Sequence, residues 1–181
     1  MLRLLALLSL IAGLTGTAHA TDVKTPYGTF VAPEGLAVLD RDDRPDAKTG
    51  KPSGMLVFSK ANDLPRAVFI VVCSYVEPDP AKPFDPLDGA VKIGNPFDRG
   101  LTREAARPVS VGGVEGGRFE GKLPNGLRAV SYTVAKGNYR LIVLLKGPAN
   151  SPYKELADEF AKGIEGFAWA VPAEVAASAL R

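Results

Sequence analysis

The sequence predicts an α+β fold, an antiparallel sheet with a C-terminal amphipathic helix packed on one face, arranged as an α/β/α sandwich. Three features carry that prediction. Two hairpin turn signals, Asn125-Gly126 and Gly137-Asn138, divide a long stretch of strand character between Val114 and Lys146. After them, apolar residues recur at three- and four-residue spacing from Tyr153 to Phe167, the period of a helix with one buried stripe. Two apolar runs, Val68–Val72 and Leu141–Leu145, show no alternation, which implies cover on both sides of those strands.

Taken in chain order, strands are expected at Tyr27–Ala32, Gly35–Leu39, Met55–Ser59 and Val68–Tyr75, each bounded by Gly, Pro or polar residues. A three-stranded meander follows. Closing its first turn as a two-residue loop pairs Leu123 with Arg128, Gly121 with Val130 and Phe119 with Tyr132. Closing the second pairs Val134 with Leu141, Tyr132 with Val143 and Val130 with Leu145. Together they place Phe119, Leu123, Val130, Tyr132, Val134, Leu141, Val143 and Leu145 on one face, and a slip of one residue in either hairpin mixes the faces. The opposite face then carries Arg118, Glu120, Lys122, Ser131 and Thr133. For the helix, Ser151 is expected to cap the first turn and Pro152 to occupy the first helical position. Asp158 and Lys162 stand one turn apart on its polar side.

The chain has 181 residues, 22 Lys and Arg, 20 Asp and Glu, and one each of His, Cys and Trp. Residues 1–20 read as a secretory signal peptide: Arg3 supplies the charged end, Leu4 to Leu14 the apolar stretch, and Ala18-His19-Ala20 the small-x-small cleavage site. The segment is shorter than the roughly 20 apolar residues of a membrane span, so stable membrane insertion after cleavage is not expected. Residues 21–170 are expected to form a single α+β domain and 171–181 an Ala-rich tail. A periplasmic or secreted location follows from export.

Cleavage after Ala20 removes Arg3 and His19 and leaves 21 basic against 20 acidic side chains. Without histidine the mature chain has no Ser-His-Asp or Cys-His nucleophile and no imidazole metal ligand. The near-neutral charge argues against nucleic acid as a partner. Cys73 cannot form an intramolecular disulfide, and its place in an apolar run points to an inert core thiol.

Tyr27-Gly28-Thr29-Phe30-Val31-Ala32-Pro33-Glu34-Gly35, the strand ending in Cys73, the glycines from Gly112-Gly113 to Gly116-Gly117, and the closing stripe Tyr153 to Phe167 share a layout with a known group. The chain resembles the PsbP-like α/β/α sandwich superfamily, including bacterial exported DcrB-type proteins. The resemblance covers residues 28–167 in layout and apolar pattern and carries no catalytic signature. It implies an accessory, assembly or binding role rather than an enzyme. It also implies a helix after the long central strand, a position that in this chain is held by Glu77–Leu101 with five prolines and three glycines.

Candidate contact residues fall in two places. Phe84, Asp85, Phe97 and Asp98 stand in the Pro-stiffened segment 77–101, where little order remains to be lost on contact; the simpler account has both Phe rings tuck the loop onto the sheet and both Asp side chains cap turns. Arg118 and Glu120, with Ser131 and Thr133, are expected to floor a polar pocket or to form cross-strand ion pairs. The cluster Asp40, Asp42, Asp43 and Asp46 departs from a calcium loop at Pro45 and Lys51 and carries its own Arg41 and Arg44, so a solvated loop is expected. The run Val111–Gly117 precedes a strand rather than a helix and does not fit a nucleotide site.

The function expected is an exported, non-catalytic binding or assembly module of the bacterial cell envelope, with no cofactor and no metal. Its partner would be an envelope protein or a small ligand. The alternative is a carrier of a small apolar ligand held between sheet and helix, and a carboxylate-dependent enzyme is the remaining reading.

Overall fold

The computed structural model describes residues 20–60, 67–77, 79, 81–90 and 102–171. The expected signal segment lies almost wholly outside them, as do Phe97, Asp98 and the tail beyond 171. A small sheet joins β1 (Thr21–Thr25), β2 (Gly28–Ala32) and β10 (Ala168–Trp169) in the order β1-β2-β10. The main sheet has seven antiparallel strands: β3 (Leu36–Asp42), β4 (Gly54–Lys60), β5 (Val68–Tyr75), β6 (Thr102–Val111), β7 (Val114–Lys122), β8 (Leu127–Lys136) and β9 (Tyr139–Pro148). Their order is β3-β4-β5-β9-β8-β7-β6. Helix α1 (Tyr153–Glu165) lies on one face. The two unalternating apolar runs are β5 and β9, adjacent in the middle of the sheet, as their composition requires.

The core lies between the main sheet and a cover made of α1 and the small sheet. The Phe160 ring of α1 meets Phe30 and Phe58 edge-on and Phe69 at a tilt, with ring centres 5.1–5.6 Å apart. Phe30 itself meets Phe167 at 6.4 Å. Phe160, Ala161 and Ile164 are the buried positions of the helix, and Phe167, the last residue of the predicted stripe, is buried just beyond it. Gly163 brings the backbones close, since a Cβ there would stand 2.0 Å from the Val31 carbonyl oxygen. The helix begins one residue later than the sequence suggests. Pro152 occupies the N-cap, no side chain caps the first turn, and the Ser151 hydroxyl donates to the Glu155 carboxylate at 2.6 Å. Asp158 pairs with Lys154 at 2.8 Å rather than with Lys162.

The second hairpin closes as predicted, with Lys136 opposite Tyr139 and Val134 opposite Leu141. The first does not. Lys122 faces Arg128, Gly121 faces Ala129 and Phe119 faces Ser131, a shift of one residue. Pro124 joins Asn125 and Gly126 in a three-residue loop. Leu123 N–H donates to the Leu127 carbonyl at 2.8 Å, and Gly126 takes the positive φ of 79° that such a loop needs. The slip turns every side chain of β7 over. Phe119 therefore lies on the face away from α1 with Ser131 and Thr133, while Arg118 and Glu120 share the helix face with Val130 and Tyr132. The polar floor expected from Arg118, Glu120, Ser131 and Thr133 does not exist as one surface.

The meander also has a fourth strand. β6 pairs with β7 through Val111 opposite Val114, with a bulge between Arg103 and Ala105 and Pro108 in its course. It is an edge strand, where a missing N–H and charged side chains discourage further pairing.

On the face away from α1, the register lines up two cross-strand rows. One runs Asp40, Val57, Ile70, Leu144, Ser131, Phe119, and the other Asp42, Met55, Val72, Ile142, Thr133, Gly117. A helical segment at 86–90 lies over the β8 end of these rows, where the Ser131 hydroxyl donates to the Ala90 carbonyl at 2.6 Å. The helix that the resemblance implies after the central strand is present in part as this segment.

Candidate functional site

Two groups of polar side chains stand out. The first grows from the corrected register of β7 and β8. Placing Arg118, Glu120 and Arg128 on the helix face lets Glu120 accept from Arg118 at 2.6 Å through one oxygen and from Arg128 at 2.8 Å through the other. Arg128 also reaches Asp158 on α1 at 3.1 Å, and Asp158 is held by Lys154. The chain of pairs ties two strands to the helix. The Arg118 side chain is only 11% exposed, and its guanidinium lies 5.5 Å from the Tyr132 ring centre. The Tyr132 hydroxyl in turn donates to Glu165 at 3.4 Å.

The electrostatics follow from this packing. Burial opposes the charge on Arg128, yet its hydrogen bonds to Glu120 and then Asp158 outweigh that penalty and hold it above the usual arginine value. Burial likewise works against the Asp158 carboxylate, and the bonds from Lys154 and Arg128 reverse it, so Asp158 titrates below the usual carboxylate range. Tyr132 is pushed well above its ordinary value by burial. Both oxygens of Glu120 are held by guanidinium groups, so the carboxylate anchors two strands to each other through charge-assisted hydrogen bonds.

The second group lies where segment 81–90 meets the hairpin of β8 and β9. Phe84 covers the guanidinium of Arg140 at 4.5 Å from its ring centre. The two help line a groove of about 170 Å³ with Lys82, Asn138, Glu77 and Asp79. Arg140 is half-buried, and burial lowers its pKa from the usual arginine value. Asp85, adjacent to Phe84, turns away to accept the N–H groups of Leu87 and Asp88 at 2.8 and 3.1 Å. It is the N-terminal cap of the 86–90 segment. Of the six candidate contacts, the structure therefore joins Arg118 to Glu120 and gives Phe84 a partner from β9. No sequence pattern linked Phe84 to Arg140, because a loop and a distant strand meet there only through the sheet register.

Cys73 and the acidic loop are committed to structure. Cys73 is buried, and its thiol is pushed up to about 11 by burial. In the acidic loop, Asp42 pairs with Arg44 and Asp43 with Arg41, and Asp46 accepts from the backbone of Lys48 and Thr49. The bonds from Arg44 hold Asp42 at about 2. Between sheet and helix, a cavity beside Phe69, Val130 and Ala157 measures about 10 Å³, room for one water at most. Among the described residues, no helix is long and apolar enough to cross a membrane.

No protein-family model matches the chain, and no curated protein matches it in sequence. Its fold is similar to a solved one. The solution structure of cyanobacterial PsbP (CyanoP) from Synechocystis sp. PCC 6803 aligns with a TM-score of 0.58 at 13% identity, covering 87% of this chain and 96% of that one. At that identity the likeness is one of architecture, carried by the antiparallel sheet and the closing helix. The chain has a PsbP-like fold.

Proposed function

We propose that this protein is an exported, non-catalytic binding or assembly module of the cell envelope. One observation carries the reading: the side chains with the most chemistry to offer are spent on the fold. Glu120 is clamped by Arg118 and Arg128, Asp85 caps a turn, and Cys73 lies in the core with a raised pKa. A general acid or nucleophile must meet its substrate with a suitably poised proton or lone pair, and each of these groups is instead held by a structural partner or buried. The PsbP-like architecture supports the same role, as does the secretory pattern of residues 1–20. The filled aromatic interior favours contact through the outer surface over carriage of an apolar ligand inside.

Export is tested by expressing the full chain in a bacterium and sequencing the N-terminus of the protein recovered from the envelope fraction. Thr21 is the expected first residue; retention of residues 1–20 in the cytoplasm overturns export. Binding is tested by cross-linking in intact cells followed by purification of the mature chain. A recurrent partner in stoichiometric yield is expected, and repeated recovery of the chain alone overturns the module reading.

A further inference from the structure

The face of the main sheet away from α1 divides into two halves. Over β7, β8 and Leu144 of β9 it is sealed: Ser131, Thr133, Phe119 and Leu144 are buried. Over β4, β5 and the adjoining side of β9 the side chains keep partial exposure, with no cover among the described residues. Met55 is 36% exposed, and Val57, Ile70, Val72 and Ile142 are only part-buried. The register makes these five side chains neighbours on three successive strands, so they form one strip. Scattered exposed apolar residues are ordinary, whereas a contiguous strip rimmed by polar groups marks a contact surface.

Arg140 stands on the same face, two residues along β9 from Ile142 and opposite Ser74 of β5. It is half-buried and stacked on Phe84, and it makes no ion pair among the described residues. The other guanidiniums of comparable burial, Arg118 and Arg128, each hold a carboxylate. A desolvated guanidinium without a counter-ion presents an unmet electrostatic demand, and its planar fork fits a carboxylate through two parallel hydrogen bonds.

We propose that the strip and Arg140 together dock an apolar segment of an envelope protein that carries one carboxylate, with the carboxylate seated on Arg140. This inference rests on the binding-module reading and names the surface and the chemistry it selects. A free small acid would satisfy Arg140 alone. The strip spans two interstrand steps, about 10 Å, and only a segment with several apolar side chains covers it. Glu77 and Asp79 line the groove from exposed positions at its rim, and Asp79 already accepts the Ala81 N–H. With Lys82 on the same groove they leave its margin one negative charge in excess, which favours a single seated carboxylate over a strongly acidic ligand.

The probe is a pair of short synthetic peptides of one apolar sequence, differing only in a central Glu or Gln, added to the isotope-labelled mature chain and followed by NMR. The Glu peptide is expected to shift the amides of β4, β5 and β9 and the Nε–H of Arg140, and to bind about tenfold more tightly than the Gln peptide. Arg140→Gln should bring the two peptides to equal affinity without moving the thermal midpoint. Sodium acetate should shift the Arg140 groove and leave the strip unmoved. Equal binding of both peptides to the unaltered chain, shifts outside the strip, no strip shifts at millimolar peptide, or acetate as tight as the Glu peptide each overturn the docking surface. Cross-linking in cells separates the two levels of the reading. A partner captured equally by the unaltered chain and by Arg140→Gln overturns this surface and leaves the binding module standing, whereas no partner for either overturns the module itself.

Discussion

Phe160 is fully buried and touches the small sheet through Phe30 and the main sheet through Phe58 and Phe69. Truncating it removes the ring that three elements share, and Phe160→Ala should cost about 3–5 kcal/mol. For a chain of this size that corresponds to a fall of roughly 6–20 °C in the thermal midpoint, read by circular dichroism; a change within 2 °C or so would mean that the site collapses without penalty. Cys73 offers a second residue-scale prediction through pH. Its folded pKa of about 11 lies above the ordinary value of 9.0. The unfolded chain therefore releases this proton first, and stability is full below about pH 9 and lost as pH rises toward 11. The loss is about 2–3 kcal/mol, seen as a falling urea midpoint that Cys73→Ala flattens between about pH 9 and 10, above which the raised Tyr27 and Tyr132 add their own loss. In native buffer near pH 8 a thiol reagent should leave Cys73 unmodified, and denaturant should expose it fully. The role of Phe160 was legible because helical periodicity fixes which positions face inward. The pairing of Arg140 with Phe84 was not, since nothing local couples two residues that meet only through tertiary packing.

At the scale of elements, the first hairpin shows how one turn residue decides a face. Asn125-Gly126 suits both a two-residue loop and the last two positions of a three-residue loop, and the sequence reading took the shorter. The apolar pattern of β7 offered little correction, because Gly116, Gly117 and Gly121 leave only Phe119 as a large apolar residue in mid-strand. Either assignment buries Phe119, since both faces of β7 are partly covered. The loop itself is testable. Gly126 has a φ of 79° with open space where a Cβ would go, so Gly126→Ala should cost about 1–2 kcal/mol by conformation alone. Gly126→Asn, which tolerates that conformation, should recover most of it; equal urea midpoints for the Ala variant and the parent would contradict the three-residue loop. The same register creates the Glu120 clamp. Removing this acceptor strands the part-buried Arg118 guanidinium and leaves Arg128 with Asp158 alone, and Glu120→Ala should destabilise by about 2–3 kcal/mol, below the 3–5 of a fully buried pair because Glu120 and Arg128 retain some solvent and Arg128 keeps one partner. Asp158, held below the usual carboxylate range, extends this dependence to acid: its contribution is present above the unfolded carboxylate pKa and lost as pH falls through the folded one. β6 escaped the sequence reading for a related reason. An edge strand is built of the charges and proline that protect edges, and those same residues read as loop.

For the whole molecule, the layout was legible from three signals, namely the hairpin turns, the central apolar strands and the closing helix stripe, because each states a period that only one arrangement satisfies. What lay beyond them was the small sheet, whose β10 has two residues and acquires its identity only by pairing with β2. That pairing decides whether the fold is one cooperative unit. Trp169, the only tryptophan in the chain, pairs with Gly28 of the small sheet, donates its ring N–H to the Val111 carbonyl of the main sheet at 2.9 Å, and packs on Phe167 at 4.9 Å. It thus reports on the junction between the two sheets, while far-ultraviolet circular dichroism reports on all strands and α1 together. With Phe30 and Phe167 buried in the same core as Phe58, Phe69 and Phe160, the small sheet cannot detach without opening that core. Tryptophan emission and circular dichroism should therefore give coincident urea transitions with one midpoint and one slope. An earlier tryptophan transition would show that the small sheet unfolds separately, and the seven strands with α1 would then be the stable unit on which the open face is carried.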